Sequence, residues 1–587
     1  MLVNAVQIQP TDTTLLQNTL LRRKRSLTEK SVTVSSFIVG FLRRLGIRTV
    51  FGISGANIEN LCQECASAEI NLIIAKHEYS AATMAQGYFQ RSGELGVVMT
   101  TSGGGAFNII APLLEAKAAR IPLLCFVGQI PQELESCGGF QDSSGGPNGI
   151  DAEQIFAPIS VFCQKIRNAG QVKDILEQAA EAAFLNQGPA VVLLPKNIQT
   201  MEIASFDGEV EGNRRLAISA PDSQSLNRLR QKAESMDQPP LIILGPDYLV
   251  EYPRDLLDSF IAKTSARVAV TPDAKGAFEH DDPRFVGIVG VMGHSSTVDF
   301  LAKTSTCVVL GSNLPLMARF GLDPHLDGKT IISCSHLPSY LRHDRGSTIT
   351  EVVGAITPSL ELLRDAAPEI LPTDFSRSIE FTGLDPVDTP FGSDQSSLLK
   401  MPDVIAIFEK HRSPDTDTFL DSGNTGAWFL HGLKTSGRGI FNVALEMGGM
   451  GHSFGAAIGS AAASGRQTHV IAGDGSFYMH GLEIHTAIEY DLPVVFFVFN
   501  NNGHGMCQTR ENVFFKNVTR QNQFQPAWLG RGMKAMFPGL AAFEVTTPGE
   551  WENALRQIEG SLKPAFISVN VSIDEMPPFW SFSGQKR

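Results

Sequence analysis

The sequence predicts an α/β protein built from three consecutive doubly wound parallel-sheet domains. Three observations carry the expectation. Short β-branched runs without polar alternation recur along the chain, as strands buried on both faces require. Ala-rich amphipathic stretches separate them, as crossover helices would. Two polar segments, 206–236 and 367–400, the second rich in Pro, Ser and Asp, divide the pattern into three sets of similar size.

Residues 1–30 are polar and read as a flexible tail; "LRRKR" (21–25) there is a basic cluster in a solvated segment rather than a binding patch. In the first set, 31–205, "NLIIA", "LGVVMTT", "IPLLCFVG" and "PAVVLLP" read as strands, with helices over 78–90 and 106–119. The second, 237–366, contains "PLIILG", "ARVAVT", "CVVLGS" and "TIISCS". The third, 401–580, contains "TFLDSG", "THVIAGDG", "VVFFVFN" and "AFISVNV". Nothing repeats at a short, solenoid-like period.

Composition narrows the function. With 43% apolar and 19% charged residues in 587, large cores can form. A net charge of −13 argues against nucleic-acid or anionic-membrane binding. No apolar run reaches the roughly 18–20 residues that span a bilayer, and no secretion signal opens the chain, so a cytoplasmic protein is expected. Eight cysteines are not a disulfide framework at this length. "CQEC" (62–65) shares apolar spacing with Ile58 and Leu61 and reads as a helix face rather than a redox or zinc motif.

The chemistry concentrates in "IAGDGSFYMHGLEIHTAIEYDLPVVFFVFNNNGHGMCQ" (471–508). Asp474 follows one apolar strand and Asn501 the next, 27 positions later, the length of one parallel crossover. Ligands of doubly wound sheets sit beyond the carboxyl ends of the strands. A carboxylate and a carboxamide oxygen meeting there suit Mg²⁺, which binds substrate phosphates as well. Gly475 and Ser476 offer backbone N–H groups and a hydroxyl at a helix start, where anions bind. Taken singly, Gly-Asp-Gly is a tight turn and the Asn run a loop; together they point to a metal–diphosphate site.

"GDGS" followed by "NNNG" resembles the thiamin-diphosphate fingerprint of the pyruvate decarboxylase and acetolactate synthase superfamily. The resemblance implies that Asp474, the Asn501 side chain and the Gly503 carbonyl hold Mg²⁺ on the cofactor's diphosphate. "DSGNTGAW" (421–428) is similar to the loop that contacts the diphosphate, with Asn424 and Thr425 at the contacting positions. "EMGGMGHSFGAAIGSA" (446–461) resembles the segment that cradles the pyrimidine. There the Gly448 carbonyl would meet the 4′-amino group and Met450 would force the cofactor's bent shape, though Met450 by itself could be core filler. "FGISGANIENL" (51–61) and "KHEYSAATMAQGYFQRSGELGVVMTTSGGGAFNII" (76–110) resemble the pyrimidine domain, with Glu78 as the acid at pyrimidine N1′. From composition alone Glu78 could be a first-turn carboxylate. "TTSGGGAFN" lacks the full dinucleotide-binding pattern. The likeness covers roughly 31–575.

The family's chemistry would then apply. Glu78, expected in an apolar pocket, would share a proton with N1′. A 2-oxo acid adds to the cofactor and loses carbon dioxide. The resulting enamine either takes a proton, releasing an aldehyde, or attacks a second carbonyl. "GGFQD" (138–142) resembles the acetolactate-synthase segment near the substrate, which places Phe140 and Gln141 there and favours carboligation; a 2-oxo-acid decarboxylase is the alternative, and an inactive binding or regulatory subunit a third. "SSGGPNG" (143–149) departs from the family, and "LGSNLPLMARFG" (310–321) replaces the usual flavin-site motif, so FAD is not expected. His504 falls beside the cofactor loops and His452 on the substrate side, each a proton relay or a satisfied loop histidine. "MGH" (450–452) is similar to decarboxylases that release the aldehyde. Asn57 stands where some members carry a catalytic histidine and is a substrate-positioning candidate. The resemblance also implies a homodimer or homotetramer in which two chains share each site.

Overall fold

The computed structural model describes residues 31–205, 216, 218–342, 346–385, 398–437, 439–515 and 519–579. The expected tail, much of each linker and residue 580 lie outside them. Strands β1 (Ser31–Thr33), β2 (Thr49–Gly52), β3 (Asn71–Ile74), β4 (Gly96–Thr100), β5 (Leu123–Gln129), β6 (Phe162–Lys165), β7 (Pro189–Pro195) and β8 (Glu202–Ala204) form the first domain. The second holds β9 (Leu241–Leu244), β10 (Arg267–Val270), β11 (Phe285–Ile288), β12 (Thr306–Leu310), β13 (Thr330–Ser335) and β14 (Thr348–Val353). The third holds β15 (Asp417–Leu420), β16 (Phe441–Val443), β17 (Thr468–Gly473), β18 (Val494–Asn500), β19 (Ala541–Val545) and β20 (Ala565–Asn570).

Each domain contains one six-stranded parallel sheet, and β1 pairs antiparallel with β8 to close the first. The outer domains share a strand plan, β3-β2-β4-β5-β7-β6 and β16-β15-β17-β18-β20-β19, whereas the central sheet runs β11-β10-β9-β12-β13-β14. The predicted runs become these strands because β-branched and aromatic side chains fit a sheet covered on both faces. Among the described residues no helix is long and apolar enough to cross a membrane.

The polar stretch over 206–236 is not linker throughout. Residues Ser223–Glu234 form a helix whose Leu229 and Ala233 are buried in the central core. Its largely charged and polar outer face hid that thin apolar stripe from a compositional reading.

Six helices position the site: α1 (Glu78–Ser92), α2 (Ile110–Ala118), α3 (Asn424–Gly432), α4 (His452–Ser464), α5 (Asp474–His480) and α6 (Gly505–Phe514). Helix α1 begins where the His77 ring accepts from the Tyr79 N–H and ends at Gly93, in the left-handed region. Helices α1 and α4 occupy the same place in the two outer domains, after the second strand, and pack on each other. A Cβ on Gly459 would stand 1.8 Å from the Met84 carbonyl oxygen, and one on Gly87 1.9 Å from that of Ala456. This approach joins the outer domains in one apolar cluster containing Ala81, Met84, Phe454 and Ala457. The central domain docks through an Arg120–Asp247 ion pair and through Lys275, whose Nζ donates to the Phe429 and Leu430 carbonyls at the end of α3.

Candidate active site

In the third sheet β15 leads to β16 on one side and, after a crossover, to β17 on the other. The loops beyond such strands diverge and leave a crevice. Asp474, Asn501 and Asn424 all stand at this edge, after β17, β18 and β15.

Asp474 opens α5 and is 1% exposed. Its Oδ2 accepts from the Gly503 N–H at 2.9 Å, while Oδ1 is buried without a partner among the described residues. Burial pushes its pKa up to about 6, although N–H groups of Gly503, Asn501 and Gly475 favour the ionised form.

The three asparagines divide the work. Asn500 donates to the Ala527 carbonyl at 2.8 Å and to Asn570 Oδ1 at 3.2 Å. Asn502, at φ +54°, accepts from the Ala527 N–H on Oδ1 at 3.0 Å and from the Phe524 N–H on its carbonyl at 2.6 Å. Both are engaged in fixing the loop. Asn501 keeps a buried Oδ1 with no partner. Asn424 donates to Thr509 Oγ1 at 2.9 Å, and its Oδ1 is likewise buried and unpartnered. A Cβ on Gly505 would lie 2.6 Å from Asn501 Nδ2 and 3.3 Å from Asn424 Nδ2, so both carboxamides crowd over this glycine.

The buried oxygens of Asp474 and Asn501, without donors among the described residues and on neighbouring segments after β17 and β18, are hard ligands of the kind a cation could take. Each unsatisfied acceptor would otherwise cost about 1–3 kcal/mol. Among the described residues no group of three His, Cys, Asp or Glu is placed to hold a metal. A cation here would therefore draw further oxygens from a ligand, as Mg²⁺ does from phosphates. The Gly503 carbonyl accepts from the Gly505 N–H at 3.0 Å and has a second lone pair. Thr425, in the first turn of α3, is buried beside Asn424.

Met450, Gly475 and His504 converge. A Cβ on Gly475 would meet His504 Nδ1 at 2.6 Å and Met450 Cε at 3.2 Å. The His504 ring stands edge-on to Phe524. Ser476 departs from expectation: its hydroxyl donates to Asp421 Oδ1 at 2.6 Å, which leaves only its backbone N–H for an anion. Asp421, missed by the sequence reading, also accepts from Ser453 Oγ at 2.8 Å and from the N–H groups of Gly451 and Ser453. It ties the loops after β15, β16 and β17 together. An acid ending an apolar strand in "TFLDSG", as Asp474 does in "VIAGDG", was the available signal.

Glu78 is the first residue of α1, and its Oε2 accepts from Asn108 Nδ2 at 2.8 Å. A Cβ on Gly105 would come within 2.9 Å of Oε1, so this glycine leaves room for the carboxylate. Gln141, at φ +61°, packs on Gly103 of the same loop. Asn57 is buried nearby and donates to Ser102 Oγ at 2.6 Å. Phe140 is 89% exposed. Gly448, at φ +66°, has open space where a Cβ would stand.

His452 is 3% exposed. Its ring is buried in the α1–α4 seam with Nε2 on Gln86 Oε1 at 3.2 Å, and burial pushes its pKa down to about 4. A neutral, enclosed imidazole is not a proton relay near pH 7. The start of α1 reaches the end of α5 through rings: Tyr79 stacks on His480 at 4.1 Å, and His77 meets it edge-on.

Residues 32–148 match the profile described as "Thiamine pyrophosphate enzyme, N-terminal TPP binding domain", 235–363 the corresponding central domain and 421–569 the C-terminal TPP binding domain. The chain is 24% identical to a probable acetolactate synthase large subunit of Methanocaldococcus jannaschii, over 92% of each chain. It is 26% identical to the acetolactate synthase isozyme 1 large subunit of Escherichia coli, covering 93% of this chain and 95% of that one. A putative thiamine pyrophosphate-containing protein, YdaP, of Bacillus subtilis is 24% identical over 93% and 92%.

Proposed function

Because the chain belongs to the thiamine pyrophosphate enzyme family, we propose that it uses thiamin diphosphate and Mg²⁺ to decarboxylate a 2-oxo acid and join the remaining fragment to a second carbonyl, as an acetolactate synthase does. The observation that supports the cofactor reading best is the pair of buried, donorless oxygens on Asp474 and Asn501. Asp474, Asn501 and the Gly503 carbonyl would hold the metal, and Asn424, Thr425 and the N–H groups of Gly475 and Ser476 the diphosphate. Met450 and the Gly448 carbonyl would face the pyrimidine with His504 beside them. When bound, the cofactor supplies a thiazolium carbon nucleophile and an electron sink. Glu78 holds a proton at N1′, with Asn108 fixing its orientation.

Three observations favour carboligation over aldehyde release. Gln141, from the segment that resembles the synthases, packs on the Glu78 loop, and relatives across the full length bear the synthase name. His452, whose motif suggested a proton donor for the aldehyde path, is enclosed and neutral. Incubation with pyruvate, Mg²⁺ and thiamin diphosphate, followed by mass spectrometry, should yield a hydroxyketone acid; free acetaldehyde as the main product would overturn this reading.

Each site would join Glu78 of one chain to the Asp474 loop of another in a homodimer or homotetramer. Within one chain the Glu78 carboxylate meets Asn108 and Gly105 of its own domain. Phe140, Tyr478, Met479 and Leu482 are exposed around the two half-sites, an apolar surface of the kind that subunits cover.

A further inference from the structure

We propose that Glu115, in the first domain, is a positioning residue that sets the backbone of the 446–450 loop so that the Gly448 carbonyl faces the cofactor. The proposal rests on the assignment of that loop to the pyrimidine made above. Glu115 lies on α2 and is 5% exposed. Its Oε2 accepts from the Met447 N–H at 2.6 Å and its Oε1 from the Glu446 N–H at 3.3 Å. Burial pushes the Glu115 pKa above the usual carboxylate range, and the N–H groups of Met447, Glu446 and Gly448 oppose that shift by favouring the ionised form.

A carboxylate held out of water by main-chain N–H groups rather than by a cation is an expensive way to fill space, and Leu or Met would fill it at lower cost. What it achieves is geometry. Successive N–H groups converging on one anion form a nest, and their carbonyls then fan away from it. The positive φ of Gly448 suits such a turn. The far end of the loop has its own supports, with Gly449 against the Tyr79 hydroxyl and the Gly451 N–H on Asp421, whereas Glu446, Met447 and Gly448 are exposed and nothing lies within 4 Å of a Cβ position on Gly448. Helix α2 is itself anchored, because its Pro112 carbonyl accepts from Gln86 of α1 at 3.0 Å.

Glu115→Gln keeps the size but turns an NH₂ towards a backbone N–H donor. In the unliganded variant, hydrogen exchange at 446–449 should accelerate about tenfold or more, and the Kd for thiamin diphosphate with Mg²⁺ should rise about tenfold. The Kd for inorganic diphosphate with Mg²⁺, which reaches only the Asp474 side, should stay within about twofold. Glu115→Asp should fall between, and carries the same comparison if Glu115→Gln does not fold. Unchanged exchange, faster exchange with unchanged cofactor affinity, or equal losses for both ligands would each overturn the proposal. A wild-type protein that binds diphosphate but not thiamin diphosphate would instead overturn the assignment of the loop, and the proposal with it.

Discussion

Asp474 shows how one residue trades stability for binding. Its folded pKa is raised from 3.8 to about 6, so between those values the native state holds a proton that the unfolded chain releases. Stability therefore falls as pH rises through that window, and at pH 7 the buried charge costs about 1–3 kcal/mol. Asp474→Asn should melt higher than wild type at pH 7 without ligands. It should also lose the rise in Tm that Mg²⁺ and thiamin diphosphate give wild type, because the metal needs the carboxylate. Calorimetry with and without ligands checks both; a ligand-induced rise that persists in the variant would remove Asp474 from the metal site. Glu78→Gln should bind the cofactor within about threefold of wild type while lowering kcat by about 10² or more, since proton exchange at N1′ and not binding is lost. Steady-state kinetics and a binding titration separate the two effects.

The α1–α4 seam makes two elements behave as one. Gly459→Ala would place a methyl 1.8 Å from the Met84 carbonyl oxygen, and backbone cannot yield as a flexible side chain can. A loss of about 2–4 kcal/mol is expected from overpacking this contact, read as a lower Tm. His452 adds a pH dependence of opposite sign to that of Asp474. Its pKa falls from 6.5 to about 4 on folding, so in that window the unfolded chain binds the extra proton. Its contribution is complete above pH 6.5 and is lost as pH falls, by on the order of 1–2 kcal/mol at pH 5. His452→Gln should narrow the difference in Tm between pH 7 and pH 5; an unchanged difference would mean the ring is not enclosed.

Across the whole molecule the two outer domains share a strand plan and one core, yet the Glu78 carboxylate and the Asp474 loop meet different partners within the chain. Two chains joined around a two-fold axis would bring each half-site to its complement. Glu78→Gln and Asp474→Ala, each inactive alone, should recover up to about a quarter of wild-type activity after subunit exchange, because statistical mixing makes half the dimers hybrids with one intact site in two. Mass spectrometry of the mixture establishes the exchange, and silence despite hybrids would show that each chain builds its site alone.

The strands, the three-domain plan and the Asp474–Asn501 pair were legible in the linear chain because local order carries them: β-branched runs, crossover lengths and turn residues at strand ends. Asn108 and Glu115 were not legible, since each acts on a group distant in sequence, across a loop or between domains, and an acid on an Ala-rich helix such as Glu115 has no periodicity to announce it; Asp421 left only its place at a strand end as a signal. The same holds for His452, assigned to the substrate side by its neighbours in sequence and carried into a helix seam by the approach of Gly87 and Gly459. Which asparagine oxygen stays without a donor was likewise decided only by folding, because three adjacent asparagines are chemically identical until packing engages two of them and leaves the buried Asn501 oxygen unpartnered among the described residues.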